Sequence, residues 1–219
     1  MGAFSGQLIN LMAALLLLIS FAMLSQRRIL SLIYLFAWQG AVLAANSVIV
    51  AWSTGQTHLY YSALLTFALK VIVLPWILHR LAVRLNIRWD VETLINIPTT
   101  MLVGIALVII SFNLALPITQ LAGTITRSTL GIAIAIVLLS FLMMITRSKA
   151  VPQVIGFLAM ENGLFFAATS TTYGMPMVVE LGVALDVLIG MLILGIFFFQ
   201  VREAFDSLDL KHMEKLKEE

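Results

Sequence analysis

Residues 4–28 read FSGQLINLMAALLLLISFAMLSQRR, from Phe4 to Arg28, and carry no charged side chain before Arg27. A helix needs about 20 mostly apolar residues to cross the hydrocarbon core of a bilayer. This stretch supplies them and then stops at two arginines. The rest of the chain repeats the pattern. Of 219 residues, 61% are hydrophobic and 11% charged, where a soluble domain has about 45–50% and about 25%. Such a chain cannot cover itself with a polar surface. It is an all-α integral membrane protein. Hydropathy marks seven spans, at 4–24, 29–52, 58–79, 94–114, 128–146, 151–171 and 178–201. No basic region precedes the first apolar run, so the sequence predicts a retained span and not a cleaved signal.

Composition excludes several chemistries. There is no cysteine, hence no disulfide, thiolate nucleophile or cysteine-held iron–sulfur cluster. The three histidines, His58, His79 and His212, lie far apart and offer almost no ligand set for zinc or haem. No Gly-rich phosphate loop or helix-borne metal motif occurs. We expect no metal and no cofactor. If the chain belongs to a redox machine, it does not carry the electrons.

The basic residues have a topological explanation, so nucleic acid is not an expected partner. With seven spans, the loops after the first, third and fifth share a side with the C-terminal tail. These hold Arg27, Arg28, Arg80, Arg84, Arg88, Arg147, Lys149, Arg202, Lys211, Lys215 and Lys217, eleven of the thirteen Lys and Arg residues. The opposite side holds Arg127. The positive-inside rule then predicts the N-terminus outside and the C-terminus in the cytoplasm. The tail, 202–219, has Phe205, Leu208, Leu210, Met213 and Leu216 among many charges. It reads equally as an amphipathic helix or as a solvated tail.

An internal repeat organises the spans. Phe67–Leu78 aligns with Val183–Leu194 without gaps, with five of twelve positions identical. Each stretch is the third span of a three-helix set with basic residues between its first and second spans. The expected architecture is two parallel three-helix repeats, 1–82 and 128–201. Region 83–127 supplies an inner loop and a connector helix, and the tail follows. Three helices end on the face opposite their start, so one extra helix must return the chain before the unit can repeat in the same orientation. Span four has no ionisable residue between Leu94 and Leu114, as a connector allows. Parallel repeats of this kind occur in transporters.

Charged side chains in a span cost several kcal/mol, by roughly 2.5–3.5 kcal/mol on insertion scales, and each asks for an explanation. Lys70 lies mid-span. Ser62, Thr66 and Lys70 fall at i, i+4 and i+8, one polar stripe. Pro75 lacks an N–H, which frees the Val71 carbonyl. These groups suit a small hydrated site. Structurally, the alternative is a lysine that snorkels or pairs with a carboxylate in another subunit. Glu161 sits mid-span in Ala159-Met160-Glu161-Asn162-Gly163. Ala159, Gly163 and Ala167 make a small-residue packing seam, and Glu161 points away from it, toward a polar neighbour or a proton. A carboxyl in apolar surroundings holds its proton more tightly than in water. Asp186 lies in the last span, with Gly182 and Gly190 one turn to either side. Glu180, nearer the outer end, reads as either functional or solvated. Lys70, Glu161, Asp186 and Glu180 are the candidate proton path. Ser62, Thr66, Pro75, Asn162, Gly182 and Gly190 are its supports.

Arg147-Ser148-Lys149, Val154-Ile155-Gly156, Met160-Glu161-Asn162-Gly163 and Asp186–Leu194 resemble the small three-helix K-type subunit of bacterial respiratory complex I. In that family the second and third helices each carry a buried glutamate on the proton path. Asp186 falls on the third-helix glutamate without a gap. Alignment on Gly156 and Asn162 puts Leu158 at the second-helix position, with Glu161 about one turn further on. The doubled length, Ala68-Leu69-Lys70-Val71 with Pro75, and Leu208-Asp209-Leu210 resemble the hydrogenase-4 component E family, over essentially the whole chain. That resemblance implies a non-catalytic membrane subunit of a group 4 nickel–iron hydrogenase in a prokaryotic inner membrane. It implies antiporter-like membrane subunits as partners, in a complex I-like assembly that couples redox chemistry to proton or cation translocation. The competing reading is a subunit of a multi-subunit cation/proton antiporter with no redox arm. An independent transporter built on the repeat and a scaffold with fixed ion pairs are the other two.

Overall fold

The computed structural model describes residues 3–84, 94–119 and 126–172. All are helical apart from short connections, and no strand occurs among them. The helices are α1 (Ala3–Ser25), α2 (Ile29–Thr54), α3 (His58–Phe67), a π-helical segment (Ala68–Val73), α4 (Leu74–Arg84), α5 (Ile97–Thr119), α6 (Thr126–Thr146) and α7 (Ala150–Thr172). Helix α3, the π segment and α4 run on as one rod. The described residues therefore hold six helices long and apolar enough to cross a membrane: Phe4–Ser25, Ile29–Thr54, His58–Val83, Ile97–Pro117, Thr129–Thr146 and Val151–Ser170. They match the first six expected spans within a few residues, and the chain is a multi-pass membrane protein. The expected seventh span, with Glu180, Gly182, Asp186 and Gly190, lies outside the described residues, as does the tail.

The ends of the helices follow from local chemistry. Helix α2 stops where Gly55 adopts φ +71° and donates its N–H to the Ala51 carbonyl at 2.9 Å, a left-handed cap that glycine adopts without a Cβ penalty. Helix α1 stops before Gln26 and Arg27, and Arg28 is extended. Several hydroxyls inside the spans are satisfied by their own helices. Ser20, Ser47, Thr146 and Thr169 donate to the carbonyls of Leu16, Leu43, Leu142 and Phe165, each four residues back. A membrane interior demands this, because it offers no bulk water to unpaired groups.

Helix α2 is the centre of the bundle. It packs against α1, α3, the π segment, α4 and α7, while α6 packs against α7, α5 and α1. One apolar cluster joins four helices: Ala13 and Leu16 of α1, Leu43 of α2, Ala133 and Ile136 of α6, and Phe165 and Phe166 of α7. The small-residue seam of α7 faces α6, where a Cβ on Gly163 would meet Ile136 and Val137 side-chain atoms at 3.0–3.2 Å. Outward faces carry Leu18, Trp38, Leu64 and Ile109, all exposed, as lipid contact permits.

The first and fifth connections meet at one end, where Leu94, just before α5, also joins them and the chain is knitted together. Arg147 is 1% exposed. Its Nη2 donates to the carbonyls of Leu24 at 2.8 Å and Met23 at 3.3 Å, closing the C-terminal end of α1, where carbonyls lack helical partners and the helix dipole favours a cation. Burial lowers the pKa of this guanidinium from its ordinary value, yet arginine starts so high that it stays charged. Gln153 Nε2 donates to the Arg147 carbonyl at 2.8 Å, and the Leu94 N–H to the Thr146 carbonyl at 2.9 Å.

Candidate functional site: a buried ion pair on a polar chain

Lys70 lies in the middle of the third span and is 5% exposed. It stands inside the π segment, whose closing N–H, that of Leu74, bonds to the Leu69 carbonyl five residues back. The sequence predicts an ordinary α-helix here, and the structure differs for a physical reason. Pro75 has no N–H to give the Val71 carbonyl and its ring crowds that turn. One wide turn before Leu74-Pro75 relieves this, and α4 then starts with proline in its first turn, where a missing N–H costs little. Single π turns inside α-helices are frequent at functional sites. Ser62, Thr66 and Lys70 are all buried, so the polar stripe read from the spacing is the inner face of the rod.

The approach of α2 sets where Lys70 sits. Gly40 lies directly against it, and a Cβ there would stand 2.9 Å from Lys70 Cβ and 3.3 Å from the Lys70 carbonyl carbon and oxygen. Across the same level comes α7. Lys70 Nζ is 2.8 Å from Glu161 Oε2 and donates to Asn162 Oδ1 at 2.7 Å. It also stands 5.2 Å from the centroid of the Phe165 ring, within reach of a cation–π attraction. The side chains of Lys70 and Glu161 are 6% and 12% exposed. Sequence reasoning held both residues as candidates, and the structure brings them together within one chain.

From this pair a polar chain runs inward through the bundle. Asn162 Nδ2 donates to Gln39 Oε1 at 3.1 Å, Gln39 Nε2 to Ser20 Oγ at 3.1 Å, and Ser20 Oγ to the Leu16 carbonyl at 2.9 Å. The direction is dictated. An ammonium can only donate, so Asn162 presents its oxygen to Lys70 and its amide nitrogen to Gln39, and the same sense passes down to Ser20. Gln39 and Asn162 are 0% and 1% exposed. Hydrogen bonds aligned in series in a low-dielectric interior polarise one another. The chain thus holds Lys70 in place from one side while Glu161 supplies the opposite charge from the other.

Gln39 and Ser20 are site residues that sequence reasoning missed. The available signal was an amide in the middle of an apolar span, directly before Gly40. Asp186 and Glu180 fall outside the described residues. Among the described residues, no group of three or more His, Cys, Asp or Glu is placed to hold a metal ion.

Pro75→Ala tests the origin of the wide turn. Alanine restores an N–H and a hydrogen bond worth about 1 kcal/mol. The variant is expected to resist SDS-induced unfolding at least as well as the parent. The coupling between Lys70 and Glu161, measured by a double-mutant cycle, is expected to shrink, because a regular α-turn rotates Lys70 relative to α7. A clear loss of stability with undiminished coupling would refute this account.

This geometry belongs to a chain with recognisable relatives. It is 31% identical over 212 residues to the protein Rv0085 of Mycobacterium tuberculosis, covering 96% of each chain, and it belongs to the same family as that protein. It is more distantly similar to hydrogenase-4 component E of Escherichia coli, 21% identical over 188 residues, covering 86% of this chain and 82% of that one. The Shigella flexneri protein of the same name matches to the same extent. No protein-family model matches, and no solved structure matches.

Proposed function

We propose that the chain is a non-catalytic membrane subunit of a group 4 nickel–iron hydrogenase or similar complex I-like assembly. It carries part of the buried charged path through which redox-driven proton translocation runs. The observation that carries this reading is the Lys70–Glu161 contact of 2.8 Å at mid-span, held in a polar chain across four helical segments. The distant similarity to a protein named hydrogenase-4 component E supports the type of assembly. Antiporter-like membrane subunits are the expected neighbours, in a prokaryotic inner membrane. The concentration of Arg27, Arg28, Arg80, Arg84, Arg147 and Lys149 at one end supports placing that end at the cytoplasm.

The pair handles a proton as a unit. Closed, it has one ammonium and one carboxylate and no net charge. A proton reaching Glu161 leaves the Lys70 ammonium without its counter-charge in a low-dielectric site. Lys70 passes its proton to the next group, Glu161 hands its own to Lys70, and the closed pair is restored with one proton moved on. Phe165 and Asn162 hold Nζ through the exchange without exchanging protons themselves. In this reading Asp186 and Glu180 also belong to the path, with Gly182 and Gly190 as its supports.

The test uses the assembly isolated from its own membranes through a tag on this chain and returned to vesicles. Antiporter-like subunits and a hydrogenase arm are expected to co-purify. Glu161→Gln is expected to lower redox-driven proton uptake roughly ten-fold or more while electron transfer persists, because an amide cannot ionise on an intramembrane proton path. Full coupling in both Glu161→Gln and Asp186→Asn would overturn the mechanism. Co-purification with antiporter subunits and no iron–sulfur protein would overturn the hydrogenase assignment.

A further inference from the structure

Among the described residues outside the ion pair and its chain, Asn46, Ser62 and Ser170 bury polar side-chain atoms with no partner, as Arg147 does with Nε and Nη1 at the basic end. Both side-chain polar atoms of Asn46 are sealed and unpaired, as are the hydroxyl oxygens of Ser62 and Ser170. They come from three helices, α2, α3 and α7, and the packing register sets them at one level. Gly40 lies against Lys70 and Val50 and Ala51 pack with Leu59, so Asn46 falls opposite Ala63 and Leu64, beside Ser62. Gln39 bonds Asn162 and Leu43 packs with Phe165 and Phe166, so Asn46 falls level with Thr169, beside Ser170. That level is seven residues along α2 from Gln39, about 10 Å from the ion pair at 1.5 Å per residue. It lies toward the end where α2 finishes and α3 begins, away from the basic connections. Thr66, also buried, stands between Ser62 and Lys70, one turn from each.

Unpartnered amides and hydroxyls are rare in protein interiors, and rarer at membrane depth. Internal water is the small ligand that repairs such a deficit, since it needs two to four polar partners and little room. The geometry points to a file of bound water that enters at the end opposite the basic loops, passes Asn46, Ser62 and Ser170, and reaches Lys70 and Glu161 by way of Thr66. Its role as a proton entrance rests on the function proposed above, while its existence does not. The apolar cluster at Leu16, Leu43, Phe165 and Phe166 walls the file on the α1–α6 side and keeps it from crossing the bundle.

The native chain has no cysteine, so single cysteines report without background. Asn46→Cys, Ser62→Cys and Ser170→Cys are made in the full chain, in vesicles of each orientation, and exposed to silver ion and a charged methanethiosulfonate. Leu43→Cys, at 0% exposure in the apolar cluster, is the dry reference. Arg27→Cys and Thr57→Cys, exposed at the two ends, report which end each vesicle presents. A thiol in water ionises and reacts, whereas one in apolar packing is inert. The three file positions are expected to react at least about a hundred-fold faster than Leu43→Cys, and from the side on which Thr57→Cys reacts. Rates no higher than that of Leu43→Cys overturn the file. Reaction from the Arg27 side overturns its direction. Because labelling reads hydration alone, full coupling in both Glu161→Gln and Asp186→Asn would remove the proton-path reading and leave this result standing.

Discussion

Lys70→Met is expected to destabilise the bundle by about 3–5 kcal/mol, the range for breaking a buried ion pair from one side. Two groups lose their partner at once. Glu161 Oε2 loses the ammonium at 2.8 Å, and Asn162 Oδ1 loses its donor at 2.7 Å. Glu161→Gln is expected to cost less. Lys70 keeps Asn162 and the Phe165 ring, and an amide oxygen can still accept from Nζ. The double variant is expected to be more stable than Lys70→Met alone. It no longer buries a carboxylate without a counter-charge, leaving mainly the orphaned Asn162 oxygen at about 1–3 kcal/mol. The check is a double-mutant cycle read by SDS-induced unfolding of the purified protein in mild detergent. A coupling energy of about 2 kcal/mol is expected. Additive losses would show that the pair does not hold the fold, and Lys70→Met as mild as Glu161→Gln would remove Asn162 from the account.

How much of this was legible in the sequence depends on the range over which each feature is determined. The six described spans were readable because membrane depth imposes a length on every apolar run, and that constraint acts locally. Lys70 and Glu161 stood out because an ionisable group in such a run is costly wherever it lies. Their pairing was not readable, since Lys70 and Asn162 are 92 residues apart and nothing local says that α2 brings the third span and α7 to one level. The wide turn at Ala68–Val73 was half readable. Pro75 announces a lost hydrogen bond, but an α-kink and a π turn answer that loss equally well, and only the packing of Lys70 against Gly40 selects between them. Gln39 and Ser20 went unread because amides and hydroxyls cost less than charges in apolar spans, so their presence demands less explanation.

The arrangement of the helices also bears on the expected duplication. If α6 and α7 correspond to α1 and α2, the structure pairs like with like, since α1 packs on α6 and α2 on α7. The polar chain crosses the second of these contacts, from Gln39 to Asn162. A duplicated subunit would then place its charged groups where its two halves meet, which is where one lysine and one carboxylate, contributed by different halves, can neutralise each other.

Gly40→Val is expected to be the most damaging substitution at the site that removes no polar group. Even a single added carbon stands 2.9 Å from Lys70 Cβ and 3.3 Å from two backbone atoms of Lys70. Side-chain tips can swing aside, but the backbone of the wide turn cannot. Overpacking of a filled core costs about 1–3 kcal/mol, and the rigid opposing surface puts valine at the upper end, with alanine below it. The displacement falls where it does most harm. Moving the π segment off α2 draws Nζ away from Asn162 and Glu161, and an ion pair taken out of hydrogen-bonding distance recovers little of what its burial cost. Gly6→Ala is the control, since nothing lies within 4 Å of its added carbon and alanine favours helix by up to about 1 kcal/mol. SDS-induced unfolding should rank Gly6→Ala at or above the parent, Gly40→Ala below it and Gly40→Val lowest. If Gly40→Ala were as stable as the parent, the close approach of α2 would not be what sets Lys70 in place. The polar chain through Asn162 and Gln39 would then have to hold it alone.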